Sequence, residues 1–417
     1  MDNLPSTHYH SDAVKGFNQH AREQGSPDLP FHLDELLTSA KQQTGLERIG
    51  DESFIPHLEV LIDSLNREAN LNPFGKFVVR SSLLEPLKNR FWANACFEKF
   101  PEILDREIDK PICIIGPHRS GTTRMHRMLA SDSRLQYLPT WVGMNPAPRL
   151  DLPEFGVKQR YEEVAQGLGG LQACYGEAFT AHPMHADWPE EEMLLLNTSF
   201  LSFSFLGNAY IPSFYQHYLH ADKSAAYDYM VKLLKLISWS RNEPKDKRWV
   251  LKNPAHMLDL PALYKALPSI KMVFPHRDPL KTVGSVISLM WLFGRQNTDM
   301  PLRGPMREVW WDYCQQAANR AMSARASLPA NQQLDVFYKE INDDWLKVMQ
   351  NVYAFSELEF TPQAQQELAN WLAESEKDSH HVGHRYALED FGLSQDDVIR
   401  GMQQVSEKYA IPRESGN

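Results

Sequence analysis

The stretch PICIIGPHRSGTTRMHRMLA, residues 111–130, decides how this chain is read. Its first five residues are apolar and bounded by Lys110 and Gly116, as a buried strand requires. After Gly121 the apolar residues Met125, Met128 and Leu129 recur at the i, i+3, i+4 spacing of a helix. In a strand, glycine-bounded loop and helix of this kind, backbone N–H groups and the positive end of the helix dipole converge on an anion. Gly116 and Gly121 are separated as in GxxxxGK[ST] nucleotide loops, but Thr122 stands where such a loop needs the lysine that reaches the β- and γ-phosphates. The positive charge has moved upstream to Arg119. A cradle without that lysine, with the hydroxyls of Thr122 and Thr123 at the helix start, suits a diphosphate-like donor that has no γ-phosphate.

Outward from this stretch, further apolar runs predict more strands. These are RLQYLPTW (residues 134–141), RWVLK (248–252), IKMVFP (270–275) and QLDVFYKE (333–340). Leu258, Leu260 and Leu263 mark a helix after the second of these, and Asp278-Pro279 supplies an N-cap and an N1 proline for a helix after the third. Strands alternating with helices at short spacing predict an α/β fold: a P-loop-type parallel sheet flanked by helices. Residues 33–104 are dominated by helical periodicity, whereas residues 1–29 are polar with Gly25 and Pro27 and read as a mobile arm or an extended cover. The expected division is a helical N-terminal region over 1–107 and a catalytic P-loop domain over 108–417. Between the two donor-site stretches, residues 161–242 are helical and rich in aromatics, among them Phe179, Trp188, Phe200, Phe203, Phe205, Tyr210, Phe214, Tyr215 and Tyr218. Most are expected in the core, with some lining an apolar acceptor pocket.

Composition narrows the function classes. With 42% apolar and 23% charged residues the chain is globular, and a net charge of −10 disfavours a general nucleic-acid or anionic-membrane surface. Four scattered cysteines with no CxxC pair argue against a disulfide framework or a zinc site. No secretory signal opens the sequence, and the most apolar run, 193–207, is too short and too polar for a membrane span. A cytoplasmic protein without integral membrane association is expected.

GPHRSGTT resembles the 5′-phosphosulfate loop of sulfotransferases that use 3′-phosphoadenosine 5′-phosphosulfate (PAPS). Residues 248–289, RWVLKNPAHMLDLPALYKALPSIKMVFPHRDPLKTVGSVISL, resemble that family's second half, where an Arg and a Ser eight positions apart bind the 3′-phosphate; Arg277 and Ser285 have this separation. The N-terminal region is similar to the helical lead-in of a bacterial branch. The resemblance implies transfer of a sulfuryl group from PAPS to a hydroxyl of a small or lipid-like acceptor. It also implies roles. Arg119, Ser120, Gly121, Thr122 and Thr123 would hold the phosphosulfate, and Arg277 with Ser285 the 3′-phosphate. Arg124 stands where the small-molecule branch commonly has a Trp that stacks on adenine. Lys252, in LKNPAH, matches the family's LKSPxH lysine and would meet the departing bridging oxygen.

Sulfuryl transfer also needs a base for the acceptor hydroxyl. FTAHPMHADWPEEEMLLL resembles the family's MHxxxPEE stretch and offers His185 and Glu190 to Glu192, while His256 follows Lys252 by four. His185 and Glu190 are the favoured candidates. HRYALEDFGL resembles the family's C-terminal segment and implies that Arg385 reaches the nucleotide phosphates. Metal is not expected, because a lysine can supply the one positive charge the leaving group needs. Two other classes compete: a P-loop kinase, which would need the missing lysine and a magnesium carboxylate, and a non-catalytic nucleotide-binding protein, against which Lys252 argues.

Overall fold

Residues 4–25, 29–377 and 386–414 are described by the structure, a computed structural model of the chain. Five strands, β1 Ile112–Ile114, β2 Leu135–Gln136, β3 Arg248–Lys252, β4 Lys271–His276 and β5 Gln333–Phe337, form one sheet in the order β2-β3-β1-β4-β5. All pairings are parallel. Such a sheet is covered on both faces, which is why β1 and β4 are buried along their whole length and read as continuous apolar runs. Ile114 pairs with Lys252 on one side and Val273 on the other, so β1 and β3 end level while β4 runs on to His276. Strands β2 and β3 lie on one side of β1 and β4 and β5 on the other. The topological switch point, where open α/β sheets bind ligands, is therefore at the carboxyl end of β1.

The N-terminal region supplies four helices: α1 Asp12–Glu23, α2 Leu33–Thr44, α3 Ile55–Glu68 and α4 Pro73–Lys99. Leu83, Leu87 and Phe91 of α4 share one buried cluster with Cys113, Leu251 and Met272 of the sheet, so these helices complete the core. Arg90, fully buried, stacks on Phe54 at 4.0 Å and Tyr229 at 4.1 Å and donates to Thr198 O at 3.1 Å. Instead of the expected mobile arm or extended cover, residues 12–23 form a docked helix. Ser11 caps α1, Val14 and Asn18 are buried one turn apart, and Asn18 Oδ1 accepts from Phe74 N at 2.8 Å. Polar composition hid a helix whose docking depends on an amide as much as on apolar area.

Asn72 caps α4 and donates its own N–H to Asn297 O at 2.9 Å. That brings the backbone at 297 so close that a Cβ on Gly75 would stand 2.0 Å from Asn297 O. Gly75→Ala is therefore expected to cost about 1–3 kcal/mol by overpacking, read as a lower urea midpoint at unchanged slope.

Candidate active site

The site is built from the carboxyl ends of four strands. β1 runs into the loop 116–121 and the helix α5 Thr122–Leu129. Gly121 has φ +87° and Arg119 φ +69°, a left-handed pair that turns the loop back over the strand. Gly116 packs so tightly on β4 that an added Cβ would meet Pro275 O at 2.7 Å, and one on Gly121 would meet the Tyr338 ring at 2.8 Å. Ser120 Oγ donates to Pro117 O at 2.7 Å, which fixes the loop internally. The bond from Met125 N to Gly121 O is the first of the helix, so the N–H groups of Thr122, Thr123 and Arg124 have no carbonyl of their own turn to meet.

Beside the loop, the second half of the chain supplies a cationic cluster. Arg277, just past β4, donates Nη1 to Arg119 O at 2.8 Å, and Arg119 donates Nε to Ser285 Oγ at 3.1 Å. Arg277 and Ser285, 158 and 166 positions from Arg119 in sequence, therefore both meet it in the fold. Asp278 caps the following helix, Pro279–Gly294, through Leu280 N. Tyr338, the first residue after β5, lies under the Arg277 guanidinium at 3.8 Å. Tyr386 donates to Lys281 O at 2.7 Å, and its ring lies where a Cβ on Gly284, the neighbour of Ser285, would come within 2.7 Å. Its neighbour in sequence, Arg385, lies outside the described residues. Arg124 donates Nη1 to Asn342 Oδ1 at 2.5 Å.

Across the loop, Lys252 ends β3 with its side chain buried. Its ammonium group hydrogen-bonds the Glu191 carboxylate and lies 3.5 Å from Thr123 Oγ1. Glu190, Glu191 and Glu192, which follow Pro189, are all buried. Glu192 accepts from Lys252 N at 2.9 Å and from His256 Nε2 at 2.6 Å, and Tyr227 OH meets His256 Nδ1 at 2.8 Å. Both ring nitrogens of His256 are thereby committed, and it braces the segment. Burial raises the Glu190 carboxyl, but bonding and charge from His182, the charge of Lys252 and the Glu191 N–H outweigh burial and hold it below the usual carboxylate range. Glu191 is the opposite case: burial raises it more than Lys252 lowers it, and the Glu190 charge adds to the rise. Two adjacent carboxyls pushed apart in this way are suited to different tasks.

The structure places His185 elsewhere. Its side chain is 57% exposed, it lies 3.6 Å from Asp187 and it packs on Trp188. Two other groups stand at the site instead: Glu191, offered by the sequence but not favoured there, and His118, which the sequence did not single out. Glu191 keeps Oε2 buried and unpartnered among the described residues, as are His118 Nε2, Trp310 Nε1 and Tyr313 OH. The His118 ring, from the P-loop, meets Phe203, Tyr313 and Trp310 at centroid distances of 5.2, 5.9 and 6.2 Å. Burial, then the charges of Lys252, His182 and Arg119, push His118 down to about 3, so it is neutral near pH 7. A buried polar atom without a partner calls for one, and three of these four belong to rings that pack on one another, His118, Trp310 and Tyr313, which suits that wall to a polar ligand. Phe203 is the member of the aromatic segment seen against the loop; Phe200, Phe205, Phe214, Tyr215 and Tyr218 are core residues. No helix among the described residues is long and apolar enough to cross a membrane.

The profile of the sulfotransferase family matches residues 111–362, which span all five strands, the P-loop, the acidic segment and the Arg277/Ser285 pair, and stop short of Tyr386. Among solved structures, the chain superposes on sulfotransferase STF1 from Mycobacterium tuberculosis with a TM-score of 0.77 at 27% identity, covering 90% of this chain and 99% of that one. It matches sulfotransferase STF9 from Mycobacterium avium with a TM-score of 0.79 at 23% identity, covering 93% and 99%. Coverage of this extent includes helices before residue 111, so the N-terminal helices are part of the shared fold. No curated protein matches the sequence.

Proposed function

The chain belongs to the sulfotransferase family, and from that premise we propose that its donor is PAPS and its acceptor a hydroxyl of a small or lipid-like molecule in the cytoplasm. The carrying observation is the two-part anion site, in which Arg119 ties the P-loop to Ser285 and, through its carbonyl, to Arg277. The N–H groups of the α5 start, with Ser120, Gly121, Thr122 and Thr123, suit the 5′-phosphosulfate. Arg277 and Ser285 suit the 3′-phosphate, which distinguishes this donor from ATP, because a guanidinium fork matches phosphate geometry. Arg385 is retained as a candidate phosphate ligand, and Arg124 as the group that stacks on adenine. The division near residue 107 separates roles: helices that complete the core, and a sheet that carries the chemistry.

In this reading, sulfuryl transfer proceeds in line through a loose transition state, so the protein's task is positioning and charge stabilisation. The acceptor oxygen forms a bond to sulfur while the sulfur–oxygen bond to the phosphate breaks, and the electron pair stays on the phosphate oxygen. Lys252 meets that developing charge. Glu191, through its unpartnered Oε2, takes the acceptor's proton, in preference to His185 and to Glu190, whose depressed carboxyl is a weaker base. His118 and Tyr313 orient the acceptor within the aromatic wall, and His256 and Glu192 hold the acidic segment in register.

Adenosine 3′,5′-bisphosphate is expected to raise the melting temperature well above the shift given by AMP or ATP, since a ligand that binds only the folded state stabilises it by mass action. Equal shifts for bisphosphate and AMP would count against the 3′-phosphate assignment. Turnover is expected to persist in excess EDTA after metal removal, because Lys252 supplies the charge that magnesium supplies to a kinase. Activity lost to EDTA and restored by magnesium would return the kinase reading.

A further inference from the structure

The Arg277 fork already holds an anion from its own chain. Nε and Nη2 meet the Glu414 carboxylate oxygens at 2.9 and 3.2 Å, in addition to the Nη1 bond to Arg119 O. The pairing is built along the end of β4. Tyr409 stacks on His276 with centroids 4.7 Å apart, and Arg325 covers Tyr409 at 4.7 Å. Arg413 Nη1 then reaches Asp278 Oδ1 at 3.3 Å, and Glu414 N donates to Asp278 Oδ2 at 2.9 Å. Three consecutive residues, His276, Arg277 and Asp278, thus each receive part of the tail segment 409–414.

We propose that Glu414 is a latch displaced by the donor, its carboxylate occupying the seat on Arg277 that the donor's 3′-phosphate takes. This rests on the reading of Arg277 as the 3′-phosphate ligand. A carboxylate and a phosphate each present a pair of oxygens to the same two N–H groups, and one fork holds one of them at a time. Binding the donor therefore releases Glu414, and the observed affinity is the intrinsic one multiplied by the fraction of molecules with the seat open. The pair is suited to exchange: Arg277 is 20% and Glu414 27% exposed, so water reaches both, and a phosphate carries more charge than a carboxylate. Tyr338, under the guanidinium, keeps the fork in place when the tail leaves. A nucleotide with no 3′-phosphate has no group to contest the seat and leaves the latch shut.

The test is calorimetric titration of the full chain with adenosine 3′,5′-bisphosphate and with AMP, in the wild type, Glu414→Gln, Arg277→Ala and the double variant. Glu414→Gln is expected to tighten bisphosphate binding about five- to thirtyfold, the usual span of a part-exposed charged pair, and to leave AMP within about twofold. The double variant is expected to bind as Arg277→Ala does. In the wild type, bisphosphate is expected to speed deuterium uptake at the Glu414 amide, which the Asp278 carboxylate otherwise protects. If Glu414→Gln binds bisphosphate no tighter than wild type while Arg277→Ala still weakens it, the latch is wrong and the 3′-phosphate site stands. If Arg277→Ala keeps the full preference for bisphosphate over AMP, the site assignment falls and the latch falls with it.

Discussion

Lys252→Met is expected to lower kcat by about a hundredfold to ten-thousandfold, the range seen when one group aimed at developing transition-state charge is lost, while affinity for adenosine 3′,5′-bisphosphate stays within about threefold. The split follows from where the ammonium lies. It is buried at the end of β3, against Thr123 and Glu191, and has no bond to Arg277 or Ser285, which anchor the other end of the nucleotide. A group that meets charge only as the sulfur–oxygen bond breaks contributes to the transition state and little to the ground state. Methionine keeps the length of the buried stem, and because Glu191 loses the cation that lowers it, kcat is compared on the alkaline plateau of each enzyme, where the base is ionised and the loss read is that of the ammonium. Bisphosphate affinity also checks that the variant is folded. A variant with wild-type kcat and weakened donor binding would make Lys252 an anchor, and Arg277 would then be the residue to examine for catalysis.

The elements legible in the sequence are those whose signal is local. β1, β3 and β4 are readable because a strand covered on both faces needs an unbroken apolar run, whereas Lys252 and Arg277 stand out through the resemblance of LKNPAH and of the Arg277/Ser285 spacing to sulfotransferase motifs. QLDVFYKE shows the limit of that logic. The strand stops at Phe337, and Tyr338 turns into a helix to place its ring under Arg277, a contact between positions 61 apart with no trace in local pattern. α1 was missed for a related reason, since only Val14 and Asn18 of its twelve residues are buried and one of them is an amide. His118 has no local signal, because the pattern of the P-loop is carried by its glycines, arginine and hydroxyls and the aromatic wall packed on the histidine comes from residues 203, 310 and 313. Glu190 and Glu191 are indistinguishable in a PEEE run. What separates them is a lysine 61 positions away that bonds one and a histidine that faces the other.

That separation is the basis of the second large expected effect. Glu191→Gln should lower kcat by about a hundredfold to ten-thousandfold, the usual contribution of a positioned general base, with bisphosphate affinity unchanged, because Glu191 touches Lys252 and none of the anchoring residues. The pH dependence gives an independent readout. The base acts in its ionised form, and burial raises the Glu191 carboxyl, so kcat of the wild type should fall on the acid side at a higher pH than an ordinary carboxylate gives. Glu190 is held below the usual range and stays ionised through that window, so Glu190→Gln should leave the position of the acid limb where it is. His118, pushed down to about 3, is already neutral there and cannot supply the limb either. An acid limb that persists unchanged in Glu191→Gln, or a Glu190→Gln variant that alone loses turnover, would transfer the proton to a different residue. The limb's loss in Glu191→Gln, together with its presence in Glu190→Gln, would leave Glu191 as the group that titrates, since it is the carboxyl with a buried oxygen still open to the acceptor.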